Sequence, residues 1–112
     1  NKEEGFELNS KKLNKTWELC YASNYLKEKS YENKTLNKSI SAYSELILVA
    51  LWYGNVKDTC FLPVNVFREK RSQGNRIDIR ANGLISIYYV NDNTIAVLSE
   101  IGTYDSIQIF GR

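Results

Sequence analysis

The chain has 112 residues, 43% hydrophobic and 25% charged, with 15 Lys and Arg against 13 Asp and Glu and no histidine. That length holds one domain with a core of its own, and a net charge of +2 is too small for a nucleic-acid module, which concentrates basic residues on one face. The lack of histidine removes the commonest general base, the commonest metal ligand and every Ser-His or Cys-His nucleophile pair together. No apolar run reaches the ~18 residues of a membrane span, so no membrane insertion is expected.

Residues 1–12 (NKEEGFELNSKK) are polar and aperiodic and read as a linker or lead-in, with Phe6, Leu8 and Leu13 as the alternative mark of a short helix or coiled-coil end. A start at Asn1 with no Met anywhere reads as a C-terminal domain cut from a longer polypeptide. Residues 13–112 form the domain itself. Residues 16–22 (TWELCYA) alternate and are the first core strand. Residues 23–37 are polar without period, a long loop or a short extended segment, and residues 35–40 form a further strand.

Residues 45–53 (ELILVALWY) are the strongest apolar run. Ile47, Val49, Leu51 and Tyr53 lie on one face and Leu46, Leu48, Ala50 and Trp52 on the other. A strand apolar on both faces is covered on both, and a neighbouring subunit is the natural cover for the second. Residues 59–67 (TCFLPVNVF) continue the sheet, and Pro63, which has no N–H to donate, demands an edge or a bulge. Residues 68–74 are a basic loop.

The last third is a ladder: residues 77–80, a turn at Asn82-Gly83, residues 84–90 (LISIYYV), a turn at Asn91-Asp92-Asn93, residues 94–101 (TIAVLSEI), a turn at residues 102–105, and residues 106–110 (SIQIF). Asn82-Gly83 is the strongest hairpin signal, because a primed two-residue turn needs positive φ at both central positions. About eight short strands at this spacing predict an all-β fold, an antiparallel β-sandwich of jelly-roll type. Cys20 and Cys60, the only cysteines, are too few for a disulfide framework. Each falls in an expected strand, as a small buried hydrophobe rather than half of a bridge.

No spacing selects a catalytic pair from Glu18, Asp58, Asp78, Asp92, Glu100 and Asp105, so a non-enzymatic domain without cofactor is expected. Asn91-Asp92-Asn93 offers oxygens in one turn but too few, at the wrong offsets, for a Ca²⁺ loop, and no metal is expected. Arg68, Lys70, Arg71 and Arg76 form a basic stretch that fits an anionic ligand such as an acidic or phosphate-bearing polysaccharide, or else a solvated loop. Among eight tyrosines and two tryptophans, Trp17, Trp52 and Tyr53 sit in apolar runs and read as core. Tyr25 and Tyr31 in the polar stretch and Tyr104 in the last turn are the candidates for contact with a sugar or a protein epitope. Tyr88 and Tyr89 must point to opposite faces of their strand.

From about Trp17 onward the chain resembles the C-terminal head domain of bacteriophage tail fibres and baseplate receptor-binding proteins. The likeness is carried by NKTWELCYASNY, by LNKSISAYSELILVALWYGN with a tyrosine ahead of the hydrophobic strand, by CFLPVNVF, by IRANGLISIYYVNDNTIAV and by the closing YDSIQIFGR with its Ile109-Phe110-Gly111 motif. The resemblance implies a homotrimeric β-sandwich at the tip of a virion tail fibre or baseplate. Such a head follows a fibre shaft and binds a polysaccharide or protein on the bacterial surface. It also implies that the strand around residues 46–53 serves the trimer interface. Two other readings remain open, a carbohydrate-binding module of a secreted bacterial enzyme and a structural virion domain without a ligand.

Overall fold

A computed structural model describes residues 16–112, so the lead-in of residues 1–12 and the side chains of Phe6, Leu8 and Leu13 lie outside the described residues. Eight strands follow in chain order: β1 (Glu18–Ala22), β2 (Ser30–Thr35), β3 (Glu45–Trp52), β4 (Asn55–Pro63), β5 (Ile77–Arg80), β6 (Leu84–Asn91), β7 (Thr94–Ser99) and β8 (Asp105–Gly111). They build two four-stranded sheets, β1-β8-β3-β4 and β2-β7-β6-β5, with every pairing antiparallel. The first and last strands pair, and the second and seventh pair inside them, which is the wrapping of a jelly roll. The middle departs from it, because β3–β4 and β5–β6 are local hairpins. The expected all-β sandwich is the fold.

The core lies between the sheets. Leu46, Leu48 and Ala50 of β3 and Ile107 and Ile109 of β8 face Ile85 and Ile87 of β6 and Ile95 and Val97 of β7, all buried. Strict alternation along β8, buried at every second residue, follows from a period of two residues with one face on the core. Its Gly111 lies under the ring of Tyr43, where an added Cβ would come within 2.4 Å of ring carbons. The tyrosine ahead of the hydrophobic strand and the glycine near the chain's end are therefore two halves of one contact. Where the sheets meet at β4 and β5, the Asp58 carboxylate accepts a hydrogen bond from Arg80 N at 3.1 Å.

Four expectations for local structure are decided or corrected. Of the two readings of residues 23–37, the short extended segment holds, as a regular strand, β2, half-buried at every second residue along an edge. Residues 35–40 do not form one; β2 ends at Thr35, and Ile40–Ala42 make a 3-10 turn capped by the Ser39 side chain. The strand expected at residues 59–67 stops at Pro63 and a single helical turn, Val64–Phe67, follows; proline is suited to open such a turn and cannot continue the ladder. Pro63 does lie on an edge strand.

The fourth concerns the hairpin turns. Neither Asn82 nor Gly83 has positive φ. The two-residue turn with positive φ at both positions is instead Tyr53-Gly54, at φ 51° and 77°, between the paired residues Trp52 and Asn55. Gly83 is needed for another reason: a Cβ there would sit 1.5 Å from the carbonyl oxygen of Ile101.

The outer face of the β1-β8-β3-β4 sheet carries an apolar row read directly from the register, Leu19–Phe110–Ile47–Phe61. Phe61 is 56% exposed and Leu19 49%. Trp17, expected in the core, lies half-buried on this outer face, edge-on to Phe61 at 5.8 Å and under the Arg112 guanidinium at 4.3 Å. Arg112 Nε in turn donates to Glu45 at 2.8 Å. Cys20 and Cys60 are both free thiols. They occupy opposite edge strands of one sheet, about 14 Å apart at ~4.8 Å per strand, far beyond bridging distance. Burial pushes both thiols above their ordinary pKa.

Candidate functional site

The β3–β8 ladder runs from Leu46↔Gly111 at one end to Trp52↔Asp105 at the other. It continues one step further, with Tyr53 N donating to the carbonyl oxygen of Tyr104 at 3.1 Å. Both of these residues are in the left-handed region, Tyr53 at φ 51° and Tyr104 at φ 66°. For a bulky L-residue that conformation costs roughly 1–2 kcal/mol, so the chain accepts strain twice at one place. The result is that two rings project beyond the sheet and stack, with centroids 4.3 Å apart at 24°.

Tyr25 meets Tyr104 edge-on at 5.3 Å and Trp52 meets Tyr53 edge-on at 4.8 Å, extending the pair into a four-ring ladder. The three tyrosines remain 56%, 52% and 41% exposed, for Tyr25, Tyr53 and Tyr104. Lys57 Nζ stands 5.5 Å over the Trp52 ring. Loss of water around it and the neighbouring Tyr104 phenol raise the pKa of the Tyr53 phenol.

Beneath the ladder, the chain is tied tightly. Asp105 is fully buried, and its carboxylate accepts from Gly83 N at 2.8 Å and Asn82 N at 3.2 Å. That joins the β5–β6 turn to the segment that carries Tyr104. A Cβ on Gly102 would fall 1.9 Å from the same carboxylate, so glycine is what lets the loop close over it. On the other side, Ser23 N donates to Ile107 O at 2.9 Å and Leu26 N to Asp105 O at 2.7 Å. These bonds extend the β1–β8 pairing past Ala22 and bracket Tyr25. Tyr25 also borders shallow depressions, one lined with Asn24, Lys27, Glu32 and Lys34 and one with Ser23, Asn24 and Ser106.

Of the residues singled out from the sequence, Tyr25 and Tyr104 come together at this tip. Tyr31 lies elsewhere, on the outer face of the second sheet, edge-on to Tyr88 with the two hydroxyls hydrogen-bonded. The arginines do not form one cluster. Arg68 is held by both oxygens of Asp92, at 3.1 and 2.9 Å, and by Asn65. Arg76 is held by Asp78 and the Gln73 carbonyl oxygen. Arg71 stands beside Tyr31 and Tyr88. The turn expected at Asn91-Asp92-Asn93 is present, with Asn93 N donating to Asn91 Oδ1, but Asp92 also anchors Arg68 and the Tyr89 hydroxyl.

Tyr53, Trp52 and Tyr88 escaped the sequence reading as site residues. An apolar run makes a tyrosine look buried, and the usable signal was the two-residue spacing of Tyr53-Gly54 between strands. Among the described residues no three of Cys, Asp and Glu are grouped to hold a metal ion, and no helix is long and apolar enough to cross a membrane. Comparison with known proteins adds no relative to this geometry: no family model, no curated protein and no solved structure matches the chain.

Proposed function

We propose that this domain is a non-enzymatic receptor-binding head of a bacteriophage tail fibre or baseplate protein. It assembles as a homotrimer at the tip of the virion, and its ladder of tyrosines takes a glycan, or alternatively a protein, on the bacterial surface. One observation carries the reading: two exposed, stacked tyrosines are held in strained backbone at one end of the sandwich. Strain of that kind persists where surrounding structure enforces it, and it gathers at binding sites. Flat aromatic faces with protonated hydroxyls suit the apolar C–H face and the hydroxyl rim of a sugar ring.

The position of the ladder supports the same reading. β1 starts opposite Gly111, and the ladder stands at the other end of β8, beyond Asp105. A head carried from its β1 end presents the tyrosines outward. The apolar row Leu19–Phe110–Ile47–Phe61, exposed at its two ends and half-buried between them, supports assembly, because contiguous apolar surface of this kind marks interaction sites.

Binding to whole bacterial cells and to an array of envelope glycans tests the function, comparing the wild type with Tyr53→Ala and Tyr104→Ala. Strain-selective binding that is lost in both variants, while folding is retained, supports it. Equal binding by the variants refutes it. The tyrosine ladder also suits a carbohydrate-binding module of a secreted enzyme, and a stable monomer in light scattering across concentrations favours that alternative.

A further inference from the structure

We propose a second ligand site on the wall of the sandwich, away from the ladder, selective for an anionic group carried on a sugar or polyol chain. It is formed by Tyr31 and Asn33 of the edge strand β2, Tyr88 and Val90 of β6, and Arg71 from the loop after the helical turn, around a surface depression of about 340 Å³. The register creates it. Asn33 and Tyr88 pair with Ala96 of the intervening β7 from either side. A side chain as small as that of Ala96 leaves a trough between its larger neighbours. Tyr31 stays 50% exposed on its rim.

Arg71 supplies the selectivity. Its Nε donates to the Arg68 carbonyl oxygen at 2.9 Å and its guanidinium lies 5.0 Å over the Tyr89 ring. Those two contacts hold the group in place without neutralising it. Arg68, Arg76 and Arg112 each pair with a carboxylate, whereas among the described residues Arg71 has no acidic partner within 4.0 Å. A fixed guanidinium with an uncompensated charge offers its terminal N–H groups as a fork to two oxygens of one anion. The phenols of Tyr31 and Tyr88 and the amide of Asn33 provide the polar contacts that a sugar or polyol needs beside its charge. One arginine with three polar partners fits a single oxyanion, such as a uronate carboxylate or a phosphodiester. It does not fit a polyanion that needs a broad basic face.

Nuclear magnetic resonance of the isotope-labelled chain tests the site, following the ring signals of Tyr31 and Tyr88 and the side-chain amide of Asn33. Trigalacturonate serves as the carboxylate probe, a short glycerol-phosphate oligomer as the phosphate probe, and maltotriose as the neutral control. The expected result is saturable movement of these signals with one or both anions and none with maltotriose. Arg71→Ala should weaken the binding about tenfold or more, Arg71→Lys should weaken it less, and Tyr53→Ala should leave it unchanged. Which anion titrates identifies the charged group. The site is overturned if neither anion moves these signals, if maltotriose moves them equally, or if Arg71→Ala binds as the wild type does. Because the ladder variant is a separate arm, failure here leaves the reading of the tip standing.

Discussion

Tyr53 and Tyr104, 51 positions apart in the chain, share a backbone hydrogen bond, a left-handed conformation and a stacked ring contact. Each is tolerable alone as an irregularity of a turn. Together they end the β3–β8 ladder by turning two large aromatic side chains outward, away from the core that the rest of both strands fills.

Tyr53→Asn separates strain from function. Asn-Gly is the preferred pair for a turn with positive φ at both positions, so the substitution relieves roughly 1–2 kcal/mol of strain while losing about 0.5–1.5 kcal/mol of ring stacking. The two nearly cancel. Urea denaturation should place the variant within about 1 kcal/mol of the wild type, unlike the loss of 3–5 kcal/mol when a core aromatic is truncated. Binding to cells should nevertheless fall. A large destabilisation would show that Tyr53 is a packing residue.

Asp105→Ala removes the acceptor for two backbone N–H groups at the base of the ladder. Leaving the buried Gly83 N–H unpaired costs about 1–3 kcal/mol, and the exposed Asn82 N–H can turn to water, so a loss of about 1–3 kcal/mol in urea is expected. The amide signals of Asn82 and Gly83 should exchange faster with solvent. Unchanged stability would mean that water takes the place of the carboxylate.

Two substitutions at the Tyr43–Gly111 contact should move in opposite directions. The Tyr43 hydroxyl is buried and has no hydrogen-bond partner among the described residues, so Tyr43→Phe should be neutral or stabilise by about 1 kcal/mol. Gly111→Ala drives a methyl into the ring and should cost about 1–3 kcal/mol. Thermal melts of the two variants check this, and a stabilised Gly111→Ala would refute the packing described.

Acid should loosen the clasp at the β6–β7 turn, and only below the ordinary carboxylate range. Hydrogen bonds from Arg68, then from Tyr89, hold the Asp92 carboxyl below the usual range. A carboxyl with a lowered folded pKa contributes stability that is complete above its unfolded value, about 4, and is lost as pH falls through the lower folded value. The wild type should therefore lose more stability than Asp92→Asn as pH falls below about 4. Parallel profiles of urea midpoint against pH would exclude the linkage.

The outer and inner faces of the β1-β8-β3-β4 sheet should answer differently to a charge. Leu48 is fully buried, and Leu48→Asp should abolish folding because an unpaired charge there is not compensated. The exposed Phe61 should accept Asp without unfolding, and combined with Leu19→Asp should shift the mass in light scattering from that of the proposed trimer to that of a monomer. A pair of folded variants with unchanged mass would place assembly elsewhere.

Residue order alone determined the class and most of the strands; that both cysteines are free thiols followed from their places on opposite edges of one sheet. Alternation in β8 is set by one-sided burial and is visible in a few residues, whereas β3 stood out as a run apolar on both faces. Pro63 marked an edge because it lacks a donor. β2 was hidden because an edge strand, half-buried on one side, places Glu32 and Lys34 where a central strand places aliphatics.

What only the tertiary structure decided was which tyrosines face water and which arginines are spent. Tyr53 ends an apolar run and looks like core, but its exposure depends on a turn conformation and on Tyr104 arriving from the far end of the chain. Arg68 and Arg71 are near neighbours in a basic loop; Asp92, supplied by a turn more than 20 positions on, neutralises the first and leaves the second. Such distinctions arise from pairings between distant segments, and local periodicity carries no record of them.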